Sequence, residues 1–340
     1  MRIKGLCAAI LIVAATPAVA QHRPEPAIVT EGNAGAQLRA YGNWIEQLSV
    51  AFRIGQNAVE PLQAKLGAVL TSQGSPASMA EARTAIANAR VALRKSSALL
   101  NALDTPTLAL LHLPPELDVP AMRAGALALN GNRIKMLDGV DRFLTAIEKR
   151  DLQAVRRANG ELLGAGHQQL DMLILLSKAR IVAAGDQVSD RTFFELLTLI
   201  YRSQRRLLGL ISPTGVVADL RLAGDLETIA SETETLMARE RALLEESIAE
   251  TREQGAEARA RGEDGSAYER LYRVRVNGRE LFPRGDELAK LLRETATMMR
   301  QRLPTPIEFG AQVRRFTEIE KALADIQMRS IQTIKGGTLS

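Results

Sequence analysis

Beyond residue 36 the apolar positions recur at three- and four-residue spacing, with almost none of the alternation of a half-buried strand. The chain therefore predicts helices along nearly its whole length. The first stretch carries Leu38, Tyr41, Ile45, Leu48 and Phe52. It is expected to break near Gly55 and to resume through Leu62, Leu66 and Val69. After the loop TSQGSPAS a second helix presents the seam Met79, Ala82, Ile86, Ala89, Leu93, Ser96, Leu100 and Leu103. This alternation is that of a coiled-coil seam, and its small side chains let a neighbouring helix approach closely. Four prolines between residues 104 and 120 forbid a continuous helix there.

The next seam reads Met122, Ala126, Leu129, Arg133, Met136, Val140, Phe143 and Ile147. Asp151 is placed to cap a following helix through Leu162, Leu170, Leu173 and Ile181, which Gly185 ends. Ser189-Asp190 then starts a helix carrying Phe193, Leu197, Ile200, Gln204, Leu207 and Ile211. SPTG at 212 to 215 is a candidate domain boundary. A long helix through Leu222, Ile229, Leu236 and Ile248 is expected to extend to about Gly262, where an Ala/Glu/Arg-rich end projects into solvent. Residues 273 to 282 fit either a hairpin turn at Asn277-Gly278 or a helix break, and the helical surroundings favour the break. Two last helices span 288 to 303 and 307 to 334.

The first twenty residues follow a different pattern. Arg2 and Lys4 precede an apolar run, Leu6 to Ala15, which is too short for a membrane span, and Ala18-Val19-Ala20 offers small residues at a cleavage site. The expectation is a signal peptide cleaved after Ala20, with residues 21 to 36 as a flexible leader and a mature protein in the periplasm or secreted. Cleavage removes Cys7, the single cysteine, so neither a disulfide nor a thiol is available to the mature chain. It also takes two of the 44 basic residues, leaving 42 against 39 acidic, a net charge of +3. A charge that small argues against nucleic acid as the partner. No later stretch is apolar enough to span a bilayer.

Conventional catalytic patterns are missing from the sequence. There is no nucleophile elbow, no Gly-rich phosphate loop and no metal-ligand spacing, so no cofactor and no metal are assigned. His167 and Asp171 lie four residues apart on one helix face, but two ligands do not make a site. Polar residues on apolar seams say more: Arg133, Asn159, Gln204, Thr233 and Glu240 occupy positions that the spacing turns inward. A buried charge is costly unless paired, so these groups either meet one another or line a cavity. The candidate ligand-binding set is Arg133, Gln204 and Glu240, with Arg133 suited to an anion. A second candidate is a basic, Tyr-containing stripe for a partner or anionic surface: Tyr201, Arg202, Arg205, Arg206, Tyr268, Arg270, Tyr272, Arg273 and Arg275.

The sequence thus predicts an all-α protein of long antiparallel helices. It forms either one elongated bundle or two, with a first bundle over 37 to 212 and residues 213 to 340 as a second bundle or its continuation. The leading functional expectation is an exported, non-enzymatic binding or adaptor protein of the bacterial envelope or a secretion assembly, its partner another envelope protein or an anionic envelope lipid. The alternative is a ligand-binding or sensory bundle with a polar pocket around Arg133. A hydrolase or metal-handling enzyme using His167 stands third.

Overall fold

The computed structural model describes residues 33–334 except 73, 186, 213, 214, 217–219 and 303. The stretch expected to be a signal peptide, residues 1 to 20, and most of the expected leader lie outside the described residues. The fold is all-α. Its helices are α1 (Asn33–Thr71), α2 (Pro76–Ala102), α3 (Val119–Glu148), α4 (Leu152–Ala184) and α5 (Val188–Leu208), followed by α6 (Leu220–Ala260), α7 (Ser266–Gly278), α8 (Leu281–Gln301) and α9 (Pro306–Ile334). A 3₁₀ turn at Pro115–Leu117 leads into α3. Between α5 and α6 two short strands, Ile211–Ser212 and Gly215–Val216, pair antiparallel with Ile211 opposite Val216.

Local chemistry sets several helix ends. Ser75 accepts from the Ser78 amide with Pro76 in the first turn of α2, and Asp118 accepts from Val119 at the start of α3. Asp151 caps α4 through the Gln153 and Ala154 amides, both at 3.0 Å, as the sequence predicts. Gly185, at φ 54°, ends that helix in a conformation that disfavours a side chain. The break at 273 to 282 is a helix break: α7 stops at Gly278 and α8 starts at Leu281.

Three expectations are corrected. The first helix is continuous through Gly55, whose lack of a Cβ leaves room for Leu93 of α2. A Cβ on Gly55 would lie 2.7 Å from Leu93 Cδ2. Residues 33 to 36, expected to belong to a flexible leader, are helical, since α1 begins at Asn33. The end of α6 does not project alone into solvent, because α7 folds back along it. Thr251 and Ala258 are buried, and Arg275 donates to the Ser247 carbonyl at 2.7 Å.

The predicted seams of α2 and α3 are the buried faces. Met79, Ala82, Ile86, Ala89, Leu93, Ser96 and Leu100 are all buried on α2, as are Met122 through Phe143 of the α3 seam, Arg133 included. One apolar cluster joins the C-terminal half of α1 to α2 and the end of α3, around Leu66, Ile86, Leu137 and Phe143. A larger cluster draws on helices from both sides of residue 213. Within it α5 is the central helix, packed by α4, α6, α7, α8 and α9, with Phe193, Phe194, Leu197, Ile200, Tyr201 and Leu208 all buried. Most of its circumference is buried, polar residues such as Asp190, Thr198 and Gln204 included, while Arg202, Arg205 and Arg206 keep one side towards solvent. No helix among the described residues is long and apolar enough to cross a membrane.

Candidate functional site

The polar residues of the interior follow from the same seams that build the core. A polar residue at a seam position is carried inside by its apolar neighbours, and it must then find partners across the helix interface. Arg133 is carried in by Leu129, Met136, Leu137 and Val140 on α3. It is 1% exposed, and its guanidinium carbon stands 4.5 Å from the centre of the Phe52 ring on α1. None of its three guanidinium nitrogens has a hydrogen-bond partner. Burial pushes its pKa down to about 9, which still leaves it charged at neutral pH. One turn earlier Asn130 is fully buried. Its amide donates to Ser96 Oγ at 2.8 Å while its Oδ1 has no partner.

The other two members of the predicted set are not at this place. Gln204 is buried on α5 and touches Glu320 of α9, which also accepts from Tyr201 at 2.9 Å. Glu240 on α6 is fully enclosed and accepts from Arg191 at 2.8 Å, Arg239 at 2.8 Å and Thr192 at 3.3 Å. Arg191 and Gln204 stand about 20 Å apart along α5 at 1.5 Å per residue. Arg133, Gln204 and Glu240 therefore mark separate polar clusters and not one pocket. Thr233 is buried and satisfied by the Ile229 carbonyl at 2.7 Å. The side chain of Asn159 lies outside the described residues.

Two further buried groups belong with these. Arg180 on α4 is 4% exposed and donates to Glu46 at 2.5 Å and to Ser49 at 3.3 Å, both on α1, near the Phe194 ring. A void of about 30 Å³ is lined by Ser49, Phe52, Arg53, Ser177, Arg180 and Tyr201, enough room for about one water molecule. Phe52 is thus shared between that void and Arg133. The second group is Glu320, carried inside α9 by Phe316, Ile319 and Leu323. Both were accessible to the seam argument, since Arg180 follows Leu173 and Leu176 at helical spacing and Glu320 follows Phe316. What spacing lacks is the partner across the interface.

The basic stripe is largely paired. Arg202 bonds Glu232, Arg205 bonds Asp171, Arg206 lies 3.5 Å from Asp225, and Arg273 bonds Glu269 one turn away. Arg270 reaches Ser266 at 3.5 Å, and Arg275 is spent on α6. Tyr201 is a correction to the stripe: it is 1% exposed, inside the core, and its hydroxyl serves Glu320. Tyr268 and Tyr272 are half-buried, Tyr268 against Gly255 and Tyr272 against the core. The face is a lattice of exposed ion pairs, each contributing little to stability.

His167 is half-buried, and burial together with nearby Arg205 lowers its pKa while Asp171 opposes them. Asp171, the residue that could share a ligand with it, is held by Arg205 of α5. No group of three His, Cys, Asp or Glu side chains able to hold a metal is found among the described residues. An open groove of about 650 Å³ between α6 and α8 is lined by charged groups, with Arg293 already bonded to Glu234 across it. No protein-family model, curated protein or solved structure matches this chain.

Proposed function

We propose that this is an exported helical bundle that binds a small anionic molecule between α1, α2 and α3, with Arg133 as its anchor. The observation that carries the reading is a fully buried guanidinium with no partner on any of its three nitrogens. Stacking on Phe52 compensates part of the lost hydration of that charge, while a carboxylate or phosphate would restore two hydrogen bonds at once in the planar geometry a guanidinium favours. The orphan Oδ1 of Asn130, one turn away on the same helix, is free to accept from a hydroxyl or N–H group, so an acid carrying such a donor would answer both unpaired groups. Gly55 of α1 faces the same Asn130 oxygen, with Leu93 and Ser96 of α2 packed beside it. Export is inferred from the basic, apolar and small-residue sequence of the first twenty positions.

The test is ligand-observed NMR with a panel of small hydroxy, amino and phosphorylated acids, run on wild type and on Arg133→Met. Saturable binding of one class to wild type, absent from a folded Arg133→Met variant, supports the reading. Equal binding by both proteins, or no binding by either, overturns it.

A further inference from the structure

The contact between α9 and α5 encloses an acid with no counter-charge. Glu320 is 1% exposed and sits among Phe316, Ile319 and Leu323 of its own helix. Its Oε1 accepts from the Tyr201 hydroxyl at 2.9 Å, Gln204 lies against the same carboxyl, and both are on α5. Two buried acceptor atoms here have no donor, Glu320 Oε2 and Gln204 Oε1. A proton on Oε2 cancels the buried charge that has no counter-ion and turns that oxygen into a donor, the kind of group Gln204 Oε1 lacks.

The surrounding charges are committed elsewhere. From α5, Tyr201 is the titratable group touching Glu320, and Asp190 accepts from Gln327 of α9 at 3.0 Å. From α8, Glu294 takes Arg315 of α9 at 2.7 Å, and Glu280, between α7 and α8, takes Arg329 of α9. α7 offers Tyr272 and Val276 to the core. Among the described residues no cation pairs with Glu320.

We infer that Glu320 is a proton-operated latch: its protonated carboxyl, received by Tyr201 and Gln204, keeps α9 seated on α5, and loss of the proton releases α9. Burial raises the Glu320 pKa to about 8, whereas an undocked and hydrated carboxyl returns to about 4.5. The direction follows from proton counting. Between those values the docked state holds a proton that the undocked state has lost, so docking weakens as pH rises from 4.5 to 8 and levels off above. The latch does not depend on the Arg133 reading, because its residues lie on α5 and α9.

Hydrogen exchange of the full chain followed by mass spectrometry, corrected for intrinsic rates, tests this between pH 5 and 8. Wild-type α9 amides are expected to lose roughly tenfold in protection per pH unit through this window. Glu320→Gln, a neutral isostere of the protonated acid, is expected to give a flat α9 profile at the high-protection level, and α2 amides in both proteins serve as the internal reference. A flat α9 profile in wild type, or the same slope in Glu320→Gln, overturns the latch. Glu320→Leu supplies a second check: it removes the titrating group without leaving a polar atom, and its α9 profile must also be flat.

Discussion

Replacing Arg133 with Met is the sharpest perturbation the interior offers. Lowering a guanidinium pKa from 12.5 to about 9 corresponds to about 5 kcal/mol of penalty for keeping it charged in the core. The Phe52 stack returns about 2 kcal/mol, the value for a desolvated cation over a ring. About 3 kcal/mol of uncompensated cost is left, inside the range seen when buried charges are exchanged for apolar groups of similar size. Methionine keeps an unbranched chain of similar reach against Phe52 and leaves no donor unpaired. Arg133→Met is therefore expected to raise the unfolding free energy by about 2 to 3 kcal/mol, seen as a higher urea midpoint at unchanged slope. The effect must be present at pH 7, because the wild-type penalty is complete at every pH below the lowered pKa and is relieved only as pH climbs from about 9 toward 12.5. A variant less stable than wild type by 1 kcal/mol or more would show that Arg133 has a compensating partner, and the reasoning that makes it an anchor would fail.

Other perturbations address the frame around it. Gly55→Val forces a branched side chain against Leu93 and is expected to cost about 1 to 3 kcal/mol, with partial recovery in the Gly55→Val, Leu93→Ala double variant, read by thermal unfolding. Arg191→Ala removes one of two cations from the enclosed Glu240 and should cost about 3 kcal/mol in chemical denaturation, whereas Glu240→Gln costs less because no buried charge is stranded. Arg205→Ala, breaking an exposed pair with Asp171, is expected to change stability by less than about 1 kcal/mol, a difference that shrinks further in 0.5 M salt.

Much of the frame is legible in the sequence because one-dimensional spacing fixes which side of a helix is apolar. The α2 and α3 seams are the buried faces from Met79 to Leu100 and from Met122 to Phe143, with only their last members, Leu103 and Ile147, half-buried, and Asp151 caps α4 where a short acidic side chain precedes a helical run. The break at Gly55 is misread because glycine usually weakens a helix, while here it admits α2. Tyr201 reads as part of a basic surface from its neighbours in the chain. The helical repeat instead groups it with Leu197, Gln204 and Leu208, all inside. Arg133, Gln204 and Glu240 are each buried as their positions require, yet they do not converge. Spacing states that a side chain faces inward and says nothing of which distant helix it meets. Arg180 with Glu46 and Tyr201 with Glu320 are separated by 134 and 119 residues, and only the packed bundle joins them.

An anion anchored on Arg133 would travel with the protein if it binds tightly. Native mass spectrometry of the wild-type chain and of Arg133→Met, both purified under mild conditions from a bacterial host, tests this most directly. The expected result is an acidic small molecule bound one to one by wild type and absent from the folded variant. The same bound species on both proteins, or a wild-type chain that stays bare when the acid panel is added, would contradict the account.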